Sequence, residues 1–115
     1  MASFSDLTFL KSFTGSDTAK ITKYVTMFLN STPKCLEDIK LYHSKQDWKS
    51  LKTAAHTLKS QLKYMGVSKA EELATTIERN AGDQTNLDQL GALIPDLESI
   101  TLQACDELKD ELTRL

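Results

Sequence analysis

The feature of this chain most suited to chemistry is a histidine, His56, with lysines at helical spacings on both sides. Offsets of −7, −4, +3 and +7 place all four lysines on the helix face that carries the imidazole. No acidic residue occurs between Asp47 and Glu71, so the local sequence offers these cations no carboxylate. The four cations are Lys49, Lys52, Lys59 and Lys63.

This combination argues against two common uses of histidine. A zinc site would need further His, Cys or carboxylate ligands near His56, and the lysines would repel a cation. A hydrolytic triad would need a nucleophile and an acidic residue that orients the imidazole, and the basic helix face supplies no such residue. The sequence therefore predicts neither a metal site nor a triad.

Phosphoryl transfer fits the same residues better. Neighbouring positive charges disfavour the imidazolium, and a neutral ring nitrogen is a competent nucleophile toward phosphorus. Once transferred, a phosphoryl group carries about two negative charges, and each lysine at about 4 Å attracts it by roughly 1 to 4 kcal/mol. Periodicity alone leaves a plainer interpretation open, in which His56 and the lysines are simply a solvated helix face.

The motif HTLKS at 56–60, preceded by Ala55 and followed by Gly66, resembles the signature of histidine phosphotransfer (HPt) domains, His-x-x-Lys-Gly with a later glycine. The resemblance extends over nearly the whole chain. The long helix and turn before the motif match it, as does the segment SKAEELATTIE after the motif. Ser60 stands where the family most often has glycine, and Lys63 stands where it often has a small residue.

The resemblance implies a role and partners. The chain would be a phosphorelay intermediate in which His56 accepts a phosphoryl group from one receiver domain and passes it to another. Its partners would be response-regulator receiver domains and a hybrid sensor histidine kinase, with Mg²⁺ bound only by the receiver. The residues expected to contact the phosphoryl group are Lys59 and Lys63, and those with docking or steric roles are Lys49, Lys52, Ser60 and Gly66.

We expect no metal or cofactor in the chain itself. We also expect no ATP-dependent kinase activity, because the chain carries no ATP-binding motif. Two other functions stay open at this point. One is a helical adaptor that keeps the bundle without relay activity, and the other is a bundle with a basic anion-binding face.

Composition and charge indicate the number of domains and exclude some classes of partner. The 115 residues are 40% hydrophobic and 26% charged, which predicts one globular domain over 1–115. Residues 1–69 hold 11 Lys and Arg against 5 Asp and Glu, whereas residues 70–115 hold 3 against 11. This balance lacks the overall basic excess of a nucleic-acid binder. Without a long apolar run or a signal sequence, we expect a cytoplasmic monomer that does not enter the membrane.

The hydrophobic pattern predicts helices throughout. We expect a short helix over 4–13 that ends at Gly15, then a helix capped by Ser16 or Asp17 and bent or briefly broken at Pro33. A turn at 44–47 leads to the helix of His56, whose apolar stripe has spacings of 3 and 4 residues. That stripe comprises Trp48, Leu51, Ala55, Leu58, Leu62 and Met65.

The second half of the chain continues this pattern. Gly66 should end the histidine helix, and a capping box over 68–71 should open the next helix, which ends near Gly82. From Leu87 the last helix is either kinked at Pro95 and continuous or restarts there. These elements predict an all-α fold, an antiparallel up-down four-helix bundle with a short extra N-terminal helix.

Overall fold

The computed structural model describes residues 4–114, and within them every regular element is helical. The short N-terminal helix is α1 (Thr8–Thr14), and a 3₁₀ turn (Leu87–Gln89) precedes the last helix. The four long helices are α2 (Thr18–Ser44), α3 (Trp48–Tyr64), α4 (Ser68–Asp83) and α5 (Leu90–Leu112). Helix α3 packs between α2 and α4, and α5 packs against both α2 and α4. The predicted four-helix bundle with an extra N-terminal helix is confirmed.

The core is built from the stripes that the sequence predicts, because each helix turns one apolar face inward. On α3 the buried positions are Leu51, Ala55, Leu58 and Leu62, with Met65 just beyond the helix. On α5 they include Leu90, Ile94, Leu97, Thr101, Ala104 and Leu108. Helix α4 contributes its smaller residues, Ala70 and Ala74, together with Ile77. Small side chains there allow α3 and α4 to lie close together.

Both prolines lie inside continuous helices. Of the two alternatives predicted at Pro33, a bend or a short break, the break is wrong, since α2 runs unbroken for 27 residues from Thr18. The carboxylate of Asp17 caps its first turn. A proline removes one backbone hydrogen bond, but Thr32 and Leu36 are buried on either side and keep both halves against the core. At Pro95 the continuous alternative is the observed one.

Two predicted helix starts are also corrected. Helix α1 begins at Thr8 rather than Phe4, because the amide groups of Phe4 and Ser5 donate to the side chain of Glu107 instead of joining a helix. The predicted capping box over 68–71 is absent from the structure. Val67 is the N-cap of α4 and makes no side-chain cap.

The reason lies in the turn between α3 and α4. The amide of Val67 donates to the carbonyl of Leu62 at 3.0 Å, which closes the end of α3, and the Val67 side chain is fully buried. The chain therefore enters α4 directly from Val67, with no free residue to act as a polar cap. None of the helices within residues 4–114 is long and apolar enough to span a bilayer.

Candidate functional site

His56 lies at the middle of α3, on the side of the helix that faces away from the core. Its side chain is 59% exposed, whereas Leu58, Leu62 and Met65 are buried. Helical spacing predicts that His56 lies outside the apolar stripe of α3, and the structure confirms this separation. Asp47 begins the helix by accepting a hydrogen bond from the amide of Ser50, so a capped and well-packed helix holds the imidazole at the surface.

A carboxylate from the next helix joins this site. Oε2 of Glu78 on α4 lies 2.8 Å from Nδ1 of His56, and Oε1 of the same side chain lies 2.7 Å from Nζ of Lys59. The Glu78 side chain is only 17% exposed. One partly buried carboxylate therefore bridges the histidine and the nearest lysine.

This arrangement corrects the expectation that no acidic residue relieves the basic face or orients the ring. That expectation considered one helix alone, where no carboxylate occurs between Asp47 and Glu71. Gly66 turns the chain back on itself, so α4 runs antiparallel beside α3. His56 is 10 positions before Gly66 and Glu78 is 12 positions after it, which puts them at nearly the same height in the hairpin. Counting from the turn in this way would have found Glu78.

The charge of Glu78 determines how its bond to His56 works. Burial raises the pKa of this carboxyl, but hydrogen bonds from Lys59 and His56 outweigh burial and hold the pKa below its ordinary value of 4.5. The group is therefore ionised at neutral pH and can only accept hydrogen bonds. The proton in the bond belongs to Nδ1 of His56, which leaves the lone pair of a neutral ring on Nε2.

The predicted lysines take different positions around this centre. Lys59 is half-buried and paired with Glu78, whereas the Lys63 ammonium lies 6.0 Å from the ring centre of Phe9 on α1.

The two lysines that precede His56 point to different neighbours. Lys52 reaches over α4, where a side chain at Gly82 would collide with its methylene groups. Lys49 lies on the other side of His56, along the groove between α2 and α3.

Ser60 and Gly66 have distinct structural positions. Ser60 is exposed one turn after His56, and its hydroxyl donates to the carbonyl of His56 at 3.3 Å. Gly66 has φ of +66° directly after α3, and a side chain there would overlap the backbone of Asp6. Gly66 therefore ends the helix as predicted and also lets the N-terminal segment approach.

An apolar groove that the sequence did not reveal lies near the C-terminal end of α3. It has a volume of about 380 Å³ and lies between α1, α2 and α3. Four aromatic rings make successive contacts around it, from Phe9 to Tyr64 at 5.6 Å, Tyr64 to Phe13 at 6.0 Å, and Phe13 to Tyr24 at 6.1 Å. We call this surface the aromatic groove; its lining is Leu10, Phe13, Tyr24, Met27, Phe28, Ser31, Gln61, Tyr64 and Met65.

The signal for this groove was present but ambiguous. Helical spacing makes Phe9 and Phe13 candidates for the bundle core, yet both are more than two-fifths exposed, as is Met27 on α2. A short amphipathic helix can turn either face inward, and here Leu10 of α1 and Leu7 just before it are buried in the core instead.

A family model provides the deciding comparison. The model of the Hpt domain matches residues 23–115. This chain belongs to the Hpt domain family. The match begins within α2, so α1 precedes it, and it includes His56, Glu78 and every lysine of the site.

Solved structures agree with this assignment at the level of the fold. Histidine-containing phosphotransfer protein B (HptB) from Pseudomonas aeruginosa PAO1 has a TM-score of 0.89 at 20% identity, covering 100% of this chain and 99% of that chain. The HPT domain of the Hpt sensor hybrid histidine kinase from Shewanella has a TM-score of 0.84 at 20% identity, covering 97% and 96%. No curated protein matches the chain.

Membership gives this Hpt domain a general role. Hpt domains are phosphotransfer intermediates rather than kinases, and they work with receiver domains and hybrid kinases in phosphorelays. The chain therefore has a phosphorelay role, and the resemblance of the HTLKS motif is confirmed at the level of the family.

Proposed function

We propose that Nε2 of His56 accepts a phosphoryl group from the aspartyl phosphate of one receiver domain and passes it to the aspartate of another. The observation that carries this proposal is the contact between Glu78 and Nδ1 on an exposed ring. In the neutral ring this contact favours the tautomer whose lone pair is on Nε2. A nucleophile that faces solvent at mid-helix is accessible to a partner protein. The Mg²⁺ ion and the acid chemistry belong to the receiver in this scheme.

In the accepting step, a bond forms between Nε2 and phosphorus while the bond from phosphorus to the aspartyl oxygen breaks. The electron pair of that bond returns to the aspartate of the receiver. The ring of His56 becomes positively charged because Nδ1 keeps its proton. The ionised Glu78 lies 2.8 Å from Nδ1 and stabilises that charge.

The same contact serves the return step. A phosphorylated ring that keeps the Nδ1 proton leaves as a neutral imidazole, which is a better leaving group than an anionic ring. Glu78 is thus a positioning residue that acts through His56. Transfer in both directions then depends on in-line alignment by the receiver and on charge stabilisation, as phosphoryl transfer generally does.

Lys59 connects this positioning to the charge of the phosphoryl group. Its ammonium group is held by Glu78 in the unmodified protein. A phosphoryl group on His56 brings about two negative charges within reach of it. We propose that Lys59 shares its hydrogen bonds between Glu78 and the phosphoryl oxygens. Lys63 would contribute only after leaving the ring of Phe9.

We place the receiver on the α2 side of His56. His56, Ser60 and Tyr64 lie at i, i+4 and i+8, so they form one ridge that extends about 12 Å along α3. Ser60 is small and leaves room beside the imidazole, and Tyr64 borders the aromatic groove. A receiver seated over His56 would cover this ridge and fill the groove with apolar side chains, which stabilise the complex through burial.

The test is phosphoryl transfer from a ³²P-labelled receiver domain. Receivers of the source organism would be phosphorylated and mixed with the purified chain, and the product would be checked for an acid-labile, base-stable phosphate on His56. His56→Gln should abolish labelling while changing the unfolding free energy by roughly 0.5 kcal/mol or less, because the side chain is exposed and outside the core.

His43 provides the matched control. It lies near the end of α2, where its ring is 6.2 Å from that of Trp48. His43→Gln should accept phosphate like the wild type. Labelling that follows His43 would refute the assignment, and a chain that no receiver labels would instead favour an adaptor or an anion-binding bundle.

A further inference from the structure

The N-terminal segment 4–7 is tied to two distant parts of the bundle through its backbone; we call it the N-terminal strap. The amides of Phe4 and Ser5 donate to the carboxylate of Glu107 on α5, each at 2.9 Å. The hydroxyl of Ser5 donates to the same carboxylate at 2.9 Å. The amide of Asp6 donates to the carbonyl of Met65 at 3.0 Å, at the end of α3.

The N-terminal strap leads directly into α1, which is too short to hold its position alone. Helix α1 has seven residues, whereas isolated helices below roughly 12 residues are marginal in water. Buried Leu7 and Leu10 attach its inner face to the core. Its outer face presents Phe9 and Phe13, so the place of those rings depends on what fixes the helix at its start.

The rings of α1 form one wall of the aromatic groove. Phe13 contacts Tyr64 of α3 at 6.0 Å and Tyr24 of α2 at 6.1 Å, and it lines the groove directly. A shift of α1 would move Phe13 and change the width of the groove. The shape of this surface is therefore coupled to contacts made by the N-terminal strap.

We propose that Glu107 is a positioning residue for partner docking: it fixes the N-terminal strap, which places α1 and thereby Phe13 in the wall of the aromatic groove. The inference rests on the proposed function, in which a receiver covers that groove. A carboxylate suits this role because its two oxygens accept several donors at once, and bonds to an ionised acceptor are stronger than neutral ones. Among the residues that the structure describes, the lining of the aromatic groove does not include Glu107, so we expect its effect on docking to pass through the N-terminal strap and α1.

The experiment measures single-turnover transfer from an excess of a phosphorylated receiver that labels the wild-type chain. The dependence of the rate on receiver concentration gives an apparent KM and a maximal transfer rate. Glu107→Ala removes the acceptor of the Phe4 amide and of the amide and hydroxyl of Ser5. It should raise the KM for that receiver about tenfold or more, since losing even one charge-assisted hydrogen bond has roughly that effect, while the maximal transfer rate stays the same. Glu107→Gln keeps one acceptor oxygen and should give a smaller rise. Glu111→Gln is the matched control, because it removes a charge from the next turn of α5 without a hydrogen bond to the N-terminal strap among residues 4–114.

A double-mutant cycle with Phe13→Ala tests the route of the effect. If Glu107 acts by placing Phe13, the double variant should have the same KM as Phe13→Ala alone, whereas independent effects on affinity would multiply. Multiplying effects, or an unchanged KM for Glu107→Ala, would overturn the inference. Should Glu107→Ala fail to fold by circular dichroism, Glu107→Gln completes the same cycle.

The outcome separates this inference from the proposed function. Labelling of His56 by phosphoramidate needs no docking protein, and it should be equal in the wild type and Glu107→Gln. A wild-type chain that no receiver labels would defeat the proposed function. A labelled wild type with the same receiver KM as both Glu107 variants would defeat only the role of Glu107.

Discussion

The carboxylate of Glu78 lies 2.8 Å from Nδ1 of His56, although 22 positions of sequence separate the two residues. Glu78 belongs to α4 and His56 to α3, so only the packing of the helical hairpin brings them together. In the neutral ring, this contact favours the tautomer with the proton on Nδ1 and the lone pair on Nε2. It also places a negative charge beside a ring that, in the proposed function, would become positive on phosphorylation.

Removing the Glu78 side chain should slow phosphoryl acceptance. Glu78→Ala loses the hydrogen bond that selects the reactive tautomer, and we expect a single-turnover rate about tenfold lower, the effect of losing one charge-assisted hydrogen bond. Glu78→Gln should recover part of the rate because its amide oxygen can still accept from Nδ1.

Ring-nitrogen NMR of His56 measures this tautomer directly. The shifts should identify Nδ1 as the protonated nitrogen in the wild type and a mixture of tautomers in Glu78→Ala. The control is Glu72→Ala, which removes an exposed carboxylate from the same helix. Equal rates and equal tautomer populations in all three proteins would rule out a positioning role.

The lysines should differ in how strongly they stabilise phosphohistidine. Lys59→Ala should shift the transfer equilibrium toward the receiver by up to about tenfold, because a partly exposed contact to a phosphoryl group is worth roughly 1 kcal/mol. Lys63→Ala should act in the same direction and less strongly, since its ammonium lies over Phe9. Equilibrium phosphorylation with one receiver measures both, and an unchanged distribution in both variants would identify the lysines as a solvated face.

Restoring the residue most frequent in the family at position 60 should preserve transfer. Ser60→Gly opens space beside His56, so we expect receiver transfer at the wild-type rate or faster. It should lower the unfolding free energy by roughly 0.5 to 1 kcal/mol, because glycine is unfavourable inside a helix. Transfer kinetics and urea unfolding test the two effects separately, and a large loss of transfer would mean that the Ser60 hydroxyl takes part in docking.

Gly66 should be intolerant of a side chain. Gly66→Ala would force alanine into a left-handed conformation at φ of +66° and push a methyl group into the backbone of Asp6. We expect the unfolding free energy to fall by roughly 2 kcal/mol or more.

Gly91→Ala is the matched control for this substitution. Gly91 lies in α5, and a Cβ there would meet no described atom within 4 Å. Alanine should therefore stabilise the helix by roughly 0.5 to 1 kcal/mol. Urea unfolding measures the unfolding free energy of both variants. If Gly66→Ala and Gly91→Ala changed it in the same direction and by similar amounts, the turn would not need glycine.

Glu78 should also shape the dependence of stability on pH. Burial opposes ionisation, but the bonds from Lys59 and His56 prevail and keep its folded-state pKa below 4.5. The unfolded chain therefore takes up this proton at higher pH than the folded protein does. The ionised Glu78 therefore stabilises the folded protein fully at pH values above its pKa in the unfolded chain. This stabilisation is lost as the pH falls through its lower pKa in the folded protein.

Urea unfolding at several pH values tests this contribution. Glu78→Gln should lower the unfolding free energy at neutral pH. The difference in unfolding free energy between this variant and the wild type should become smaller at pH values below roughly 4.5. Glu72→Gln is the comparison, with an exposed carboxylate that has no ion pair among the described residues. A gap that stays constant with pH would mean that the charge of Glu78 adds nothing to stability.

The sequence by itself determined the helical class, the burial of the α3 stripe and the exposure of His56. These features follow from the 3.6-residue period, which sets the face of every residue on a helix without reference to its neighbours. Local chemistry also determined the turns at Gly15 and Gly66, because a left-handed residue after a helix favours glycine. The motif around His56 was sufficient to indicate the family.

Only the tertiary structure decided which side chains meet across helices. Glu78, the aromatic groove and the contact of Glu107 with the N-terminal strap all join residues from different elements, and periodicity within one helix carries no information on such pairs. Packing also overrode local signals, since α2 continues through Pro33 and buried Val67 replaces the expected polar cap of α4. The free energy gained by burying apolar surface between helices exceeds the free energy of one hydrogen bond or one helix cap. Packing therefore prevails where the two conflict.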